Sequence, residues 1–507
     1  MVTDPEVLYF DGYRYFFFLC QDMSEHALLY LKLADHLAAA IREGRLLSGS
    51  RLLSVRDCAK QKKLSINTVT TAYRLLEDKG LIEARPKSGY FVKSRLPVPL
   101  QPIQPTKPTE RQPDTLNSFI QAVLTHQNQA GYTDFGLACP RGKAFYPAER
   151  LSKLTASILR QQHGLVAQYA LPPGSLSLRQ QIGLRLAQLG MSVTPEELIL
   201  THGALDALNL AIRTVAKAGD TVLLETPTYF NLYSLLEMLG IQWKEITTDP
   251  VRGMDLDELE NVIQRESIAA IITIPTVHNP LGFTMSRTDK QRLASLANQY
   301  QIPVIEDAQH ADLQFVSPPE PLLKAYDTDG WVMTCASYTK TLAPDFRIGW
   351  IAPGRFLEPI RRLKFLTSVA ESTLLSEAIA KFLENGGYER HLRHVRRLYA
   401  MQIDHIRNLI ADHFPAGTKA SLPTGGFILW LELPETINSL ELAQRAMQEH
   451  IVCIPGQLYS SNRRYQHCLR LTCCFEMNEQ YATGLRRLGQ LAHELQTYFE
   501  TNRIKID

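Results

Sequence analysis

The segment WVMTCASYTKTLAPDFRIGWIAP, residues 331–353, holds two short β-rich runs on either side of a polar stretch with a lysine in it. Lys340 follows the first run. Ser337 lies three residues before it, Thr339 one before and Arg347 seven after. Hydroxyls and a guanidinium around one amine suit a phosphate held beside amine–carbonyl chemistry. Taken alone, Lys340 reads as a surface lysine, so the neighbouring segments carry the weight.

On both sides the same pattern recurs. ELILTHGA (197–204), TVLLETPTY (221–229), AAIITIPT (269–276) and PVIEDA (303–308) are further β-rich runs, with helical segments between several of them. Such alternation predicts an α/β fold with a mainly parallel sheet covered on both faces. Ligands of these sheets bind at the carboxyl ends of the strands, and the chemically loaded residues fall there. Asp307 ends a buried run, where a carboxylate needs a cationic partner or a function; alone, it reads equally as a helix cap. Asn279 lies in the turn of PTVHNPLGF. Gly203, Ala204 and Leu205 open a helix, whose free N–H groups make an anion site.

In this order and spacing, these residues together resemble the fold-type I pyridoxal-phosphate (PLP) enzymes of the aminotransferase superfamily, over about residues 130–500. The resemblance implies a Schiff base at Lys340, and Asp307 holding the pyridinium nitrogen protonated so that the ring serves as an electron sink. It implies Asn279 on the ring's phenolic oxygen and Tyr229, in ETPTYF, on the ring face. The phosphate would fall to Ser337, Thr339, Arg347 and the Gly203–Leu205 helix start. Tyr169, in QYALPPG, would reach the phosphate of the partner subunit, and Arg470, in CLRLTCC, would grip a substrate carboxylate in a bidentate pair. One departure stands out. Gln309 and His310 occupy the positions where the superfamily carries a tyrosine on the phenolic oxygen. Histidine can donate there, with altered proton traffic.

The start of the chain reads differently. Residues 24–95 carry fourteen Lys/Arg against seven Asp/Glu, a net of +7, while residues 1–23 have a net of −3 and the whole chain only +2. Leu29, Leu33, Leu37 and Ile41 form one stripe of a helix that stops before Gly44. Next, residues 49–82 read as helix, turn, helix. Ser54 caps the first helix, and Leu64–Asn67 forms the turn and cap into a second helix from Thr68 to Lys79. GLIEARPKSGYFVK (80–93) reads as a two-stranded wing. A second helix of this kind enters the major groove by its N-terminal end. Here that end offers Ser65, Asn67, Thr68 and Thr71, with Arg56, Lys62, Lys63, Arg74 and Lys87 available to phosphates. A basic module that binds a protein fits the same composition. From Leu29 to Val92 the stretch resembles the winged helix-turn-helix of GntR-type transcription regulators, with Leu53 where that family has proline.

Between the basic module and the body runs LPVPLQPIQPTKPTERQPD, whose prolines at 97, 99, 102, 105, 108 and 113 favour an extended spacer. The expected organisation is an extension over 1–23, a DNA-binding head over 24–95, a Pro-rich linker over 96–116 and a PLP-binding body over 117–507. Residues 1–22 read as an upstream extension or a short ordered arm.

At 507 residues and 45% hydrophobic content, the chain can bury large cores, which excludes wholesale disorder, a collagen-like fibre and a small disulfide scaffold. Its eight cysteines are scattered without a C-x-x-C pair, the pattern of ordinary thiols. His391 and His394, three apart on an arginine-rich helix, read as a solvated face and not as a metal site. No apolar run reaches the ~18–20 residues of a membrane helix, so the expected compartment is cytoplasmic. The combined architecture resembles the MocR subfamily of bacterial regulators. It implies a head-to-tail homodimer that binds an operator on double-stranded DNA and senses an amino-compound effector through an external aldimine at Lys340. A catalytic aminotransferase with an accessory head, and a body without cofactor that serves only for dimerisation, are the rival readings.

Overall fold

A computed structural model describes residues 25–42, 45–46, 49–85, 88–93, 119–123, 125 and 131–503. The extension over 1–23, the linker over 96–116 and Lys87 lie outside the described residues. Two compact units result, Met1–Arg95 and Leu96–Asp507.

The first unit contains three helices, α1 (Glu25–Arg42), α2 (Val55–Lys62) and α3 (Ile66–Asp78), followed by the antiparallel hairpin of β1 (Ile82–Arg85) and β2 (Gly89–Val92). Leu33, Ala34, Ala38, Cys58, Val69, Tyr73, Leu76 and Val92 share one core. Tyr73 buries its ring there and donates its hydroxyl to the Leu53 carbonyl at 3.0 Å. Ser54 caps α2 by accepting from the Asp57 N–H.

At α3 the structure departs from the expected boundary. The helix starts at Ile66, two residues earlier than Thr68, because Ser65 is the cap: its hydroxyl accepts from the Thr68 N–H at 3.0 Å. Thr68 therefore sits in the first turn with its side chain buried, its hydroxyl 2.8 Å from that of Ser65. This corrects its assignment as a base-reading residue, since it points into the head. Ser65, Asn67, Thr71 and Arg74 are exposed, as is Arg56 on α2. Asn67, Thr71 and Arg74 are spaced four and three apart, which puts them on one helix face.

In the second unit, β3 (Thr133–Asp134) precedes the strands of the main sheet. These are β4 (Ile199–Thr201), β5 (Thr221–Thr226), β6 (Gln242–Asp249), β7 (Gly253–Met254), β8 (Ala270–Thr273), β9 (Val304–Asp307), β10 (Val332–Ser337) and β11 (Gly349–Ala352). Their spatial order is β4-β11-β10-β9-β8-β5-β6-β7. From β10 to β6 every pairing is parallel; β11 and β7 run against their neighbours. The fold is α/β with a mainly parallel sheet. Alternate residues serve opposite faces. Leu224, Ile272, Ile305 and Met333 pack with Leu208 and Ile212 of the helix Ala204–Val215. Leu223, Ile271, Val304 and Val332 pack with Leu293 and Ala297 of the helix Arg287–Tyr300.

Further along the chain, β12 (Lys419–Ala420), β13 (Ile428–Glu432), β15 (Ile454–Pro455) and β16 (Cys468–Thr472) form an antiparallel sheet, while β14 (Ile451–Val452) pairs with β3. Arg470 lies on β16, opposite Trp430 and Ile454. The helix Gly387–His413 corrects one expectation: His391 is buried and its Nε2 lies 2.8 Å from the Thr341 carbonyl. That bond, with the Tyr388 hydroxyl donating to Thr341 Oγ1 at 2.9 Å, ties the helix to the segment after Lys340. Among the described residues no helix is long and apolar enough to cross a membrane.

The cap geometry makes Ser65→Ala a stability variant. Loss of the cap costs about 1 kcal/mol, which lowers the melting temperature of a head of this size by about 4–8 °C. Thermal unfolding followed by circular dichroism checks it; an unshifted head transition would contradict the assigned cap.

Candidate functional site

Three neighbouring parallel strands bring the site together. Strand β10 ends at Ser337 and delivers Thr339 and Lys340; β9 ends at Asp307 and delivers Gln309 and His310; β8 leads into the turn that holds Asn279. Lys340, Asn279, Gln309, His310, Tyr229 and Arg470 all line one cavity of about 260 Å³. The Lys340 amine donates to the Ala138 carbonyl at 2.6 Å.

Burial controls the charges here. Asp307 is buried and accepts from the Gln309 N–H at 3.0 Å. Removal from water pushes its carboxyl up to about 6, against the pull of Lys340. The same loss of hydration holds His310 down at about 3, helped by repulsion from Lys340 and Arg470, so the ring is neutral at physiological pH. Lys340 is shifted below the ordinary lysine range by burial. His310 packs edge-on against Phe427 with centroids 5.4 Å apart.

Among the described residues, several buried polar atoms lack a protein partner: Asn279 Oδ1, His310 Nε2, Thr339 Oγ1 and Arg470 Nη1. Buried polar groups are normally paired. Four orphans of this kind, three of them on residues lining one cavity beside a lysine, mark a place for a polar ligand. Arg470 is held from its other side, donating from Nε to the Tyr459 hydroxyl at 2.6 Å.

One end of the site is shaped by backbone proximity. Gly203 has φ +85° and precedes the helix Ala204–Val215. A Cβ on Gly203 would lie 2.8 Å from Arg347 Nη2, and that guanidinium donates to the His202 carbonyl at 3.2 Å. The Gly203, Ala204 and Leu205 amides thus start a helix with an arginine against it, a pairing suited to an anion. Ser337 and Thr339 are buried close by in the chain, with the Thr339 N–H 3.4 Å from the Ser337 hydroxyl. Gly349, on β11, runs against this helix start: a Cβ there would meet the Gly203 carbonyl carbon at 2.6 Å and the Ala336 oxygen at 2.8 Å.

Not every expected residue joins the cavity. Tyr169 is 81% exposed and outside its lining. Tyr229 does line it, with its hydroxyl accepting from Asn231 Nδ2 at 2.7 Å. Sequence reasoning missed Tyr459, Ala138 and the apolar residues Phe119, Ile120 and Val123, which also line or support the cavity. It missed Lys364 too, fully buried beside Glu371 and 3.2 Å from His202 Nδ1. None of these carries a local motif.

The chain matches the family described as aminotransferase class I and II over residues 142–488. It belongs to that family. Residues 29–92 match the bacterial regulatory proteins of the gntR family, so this family member has MocR-like architecture, a gntR head ahead of an aminotransferase body. The uncharacterized HTH-type transcriptional regulator YdcR of Escherichia coli K12 is 33% identical over 92% of this chain and 99% of its own length. The 2-aminoadipate transaminase of Thermus thermophilus is 27% identical over 74% of this chain and 93% of the enzyme. Among solved structures, LysN, an α-aminoadipate aminotransferase from Thermus thermophilus complexed with N-(5'-phosphopyridoxyl)-L-leucine, superposes with a TM-score of 0.68 at 25% identity, over 76% of this chain and 96% of that one. The cofactor of this aminotransferase-like body is PLP. The residues present fit it: a partly buried lysine, a buried aspartate, and unpartnered polar atoms on Asn279, His310 and Thr339.

Because Tyr459 is the hydrogen-bond partner of a buried guanidinium, Tyr459→Phe is expected to cost about 1.5–3 kcal/mol of stability. Urea unfolding of the body, compared with wild type, measures it; a change below about 0.5 kcal/mol would show that Arg470 does not depend on this hydroxyl.

Proposed function

We propose that this chain is a PLP-dependent, DNA-binding transcription regulator whose body senses a carboxylate-bearing amino compound. The observation that carries this reading is Arg470, a buried cation with one unpartnered nitrogen, lining the same cavity as Lys340. When bound, PLP supplies an aldehyde carbon that condenses with amines and a ring that withdraws electrons. Lys340 holds the cofactor covalently, and Asp307 serves the ring nitrogen. Asn279 and His310 serve the phenolic oxygen, and Tyr229 covers the ring face. Ser337, Thr339, Arg347 and the Gly203–Leu205 amides take the phosphate; Tyr169, exposed on its own protomer, reaches the phosphate of the partner subunit. Arg470 takes the effector carboxylate.

An amine that takes the place of Lys340 releases that side chain, and its carboxylate neutralises Arg470. Both changes favour closure of the body around the effector, and closure alters how two heads meet a two-half-site operator. The protein acts as a cytoplasmic, head-to-tail homodimer in this reading, and its gntR head supplies DNA binding. Arg56, Arg74 and Lys87 serve phosphates; Ser65, Asn67 and Thr71 lie at the recognition end. The second reading, a working aminotransferase, is favoured by the retained Asp307–Lys340 pair and by the 27% identity to a transaminase.

Lys340→Ala should abolish the visible absorption of the lysine-linked cofactor while the far-ultraviolet dichroism stays native; an unchanged visible spectrum would assign the link elsewhere. With amino acid and 2-oxoglutarate supplied, the regulator reading expects little keto-acid product, and sustained turnover would favour the second.

On DNA, Arg56→Ala should weaken specific and scrambled duplexes alike and reduce the log–log salt slope by about 1. Asn67→Ala should instead lower discrimination by about 1–3 kcal/mol. Gel shifts across a salt series separate the two; a wild-type protein that binds neither duplex at low salt would end the regulator reading.

A further inference from the structure

The residues that line the cavity beside Lys340 are of unlike kinds. Among the described residues its charged lining is Asp134, Lys340 and Arg470. Lys340 belongs to the cofactor in the proposed function, and Arg470 to the effector's carboxylate. Asp134 is already spent. Its Oδ1 accepts from the Gly136 and Leu137 N–H groups at 2.6 and 2.9 Å, and its Oδ2 pairs with Arg141 at 3.0 Å. A second carboxylate or an ammonium on the ligand would therefore find no free opposite charge among the described residues of this chain, which burial penalises heavily.

Much of the remaining lining is apolar: Phe119, Ile120, Val123, Leu137, Ile454 and Leu458. Their positions are fixed by packing. Phe119 is buried in the core that also holds Phe135 and Ile406. Ile120 packs against the core containing Ile454 and Leu458, and Val123 against both cores. The strip from Phe119 to Val123 is thus part of the body's wall, and Phe119, Ile120 and Val123 present apolar surface to the cavity that holds Lys340 and Arg470.

From this division we infer that the effector is an α-amino acid with an uncharged, apolar side chain, and that Ile120 and Val123 select it. The inference deepens the proposed amino-compound sensing and rests on it. Arg470 orients the α-carboxylate, and the apolar strip then discriminates by area. Each buried methylene contributes roughly 0.8 kcal/mol, so the three additional carbons of leucine over alanine predict a preference of about tenfold or more.

The test uses full-length protein loaded with PLP and follows its visible band during titration with L-leucine, L-alanine, L-glutamate, L-lysine and 3-methylbutylamine. Leucine is expected to half-saturate at about one tenth of the alanine concentration or less, with glutamate, lysine and the carboxylate-free amine each weaker than leucine. Ile120→Ser and Val123→Ser should each bring the leucine-to-alanine ratio towards one. Because the ratio is taken within each variant, a general loss of affinity cancels. Glutamate or lysine matching leucine would overturn the inference, as would a leucine preference unchanged in both serine variants. A band that moves equally with every amine overturns the side-chain selectivity alone. One that no amine moves overturns the sensing reading and this inference together.

Discussion

The parallel pairing of Val304–Asp307 with Val332–Ser337 is the contact on which the site depends. Its register sets Cys335 opposite Asp307, so β10 runs two residues further, to Ser337, and both strands release their chains at the same end of the sheet. Lys340 and Asp307 come from positions 33 residues apart in sequence, and the shared sheet end alone brings them into one electrostatic neighbourhood. Because the strands are buried on both faces, water is scarce there. That is why the aspartate is pushed up and the lysine down. A ligand with a basic ring nitrogen and an electrophilic carbon relieves both penalties together.

A second group of charges lies behind the helix start at Gly203. Ligand atoms of His202, Asp206 and Glu371 lie within 4.8 Å of one another, a spacing that resembles a metal site. The Lys364 ammonium already occupies the middle, bonded to Glu371 and 3.6 Å from Asp206. An internal cation with a covalent tether thus meets the demand that an ion would otherwise meet. It also has positional effects. The His202 N–H donates to Asp206 at 2.9 Å, and Glu371 bridges Ala170 through the backbone, next to Tyr169. One buried lysine therefore steadies both the helix start and the segment that carries an exposed tyrosine.

Much of this was legible in the chain because it is local. The β-rich runs, the Gly203 helix start, and Ser337, Thr339 and Arg347 around Lys340 are short-range patterns, and the strand ends where they fall are a property of the fold class. What stayed hidden depends on contacts between distant segments. Tyr459 supports Arg470 from the turn after the neighbouring strand β15, and Ile120 and Val123 wall the cavity from far upstream. His391 looked solvated among arginines because its helix is polar overall, yet the ring faces inward to the Thr341 carbonyl. Thr68 failed for a different reason. With Ser65 as the cap the helix begins at Ile66, and Thr68 falls in its first turn on the buried side.

Where Gly349 passes the helix start, the obstacles to a side chain are backbone atoms, the Gly203 carbonyl carbon and the Ala336 oxygen. These nearest obstacles are main chain, which a change of side-chain rotamer cannot move. In evolutionary terms this position has no neutral neighbours: a step away from glycine must move a strand, a helix start and the guanidinium beside it at once. Directed-evolution libraries that vary the cavity walls should therefore leave codon 349 as glycine.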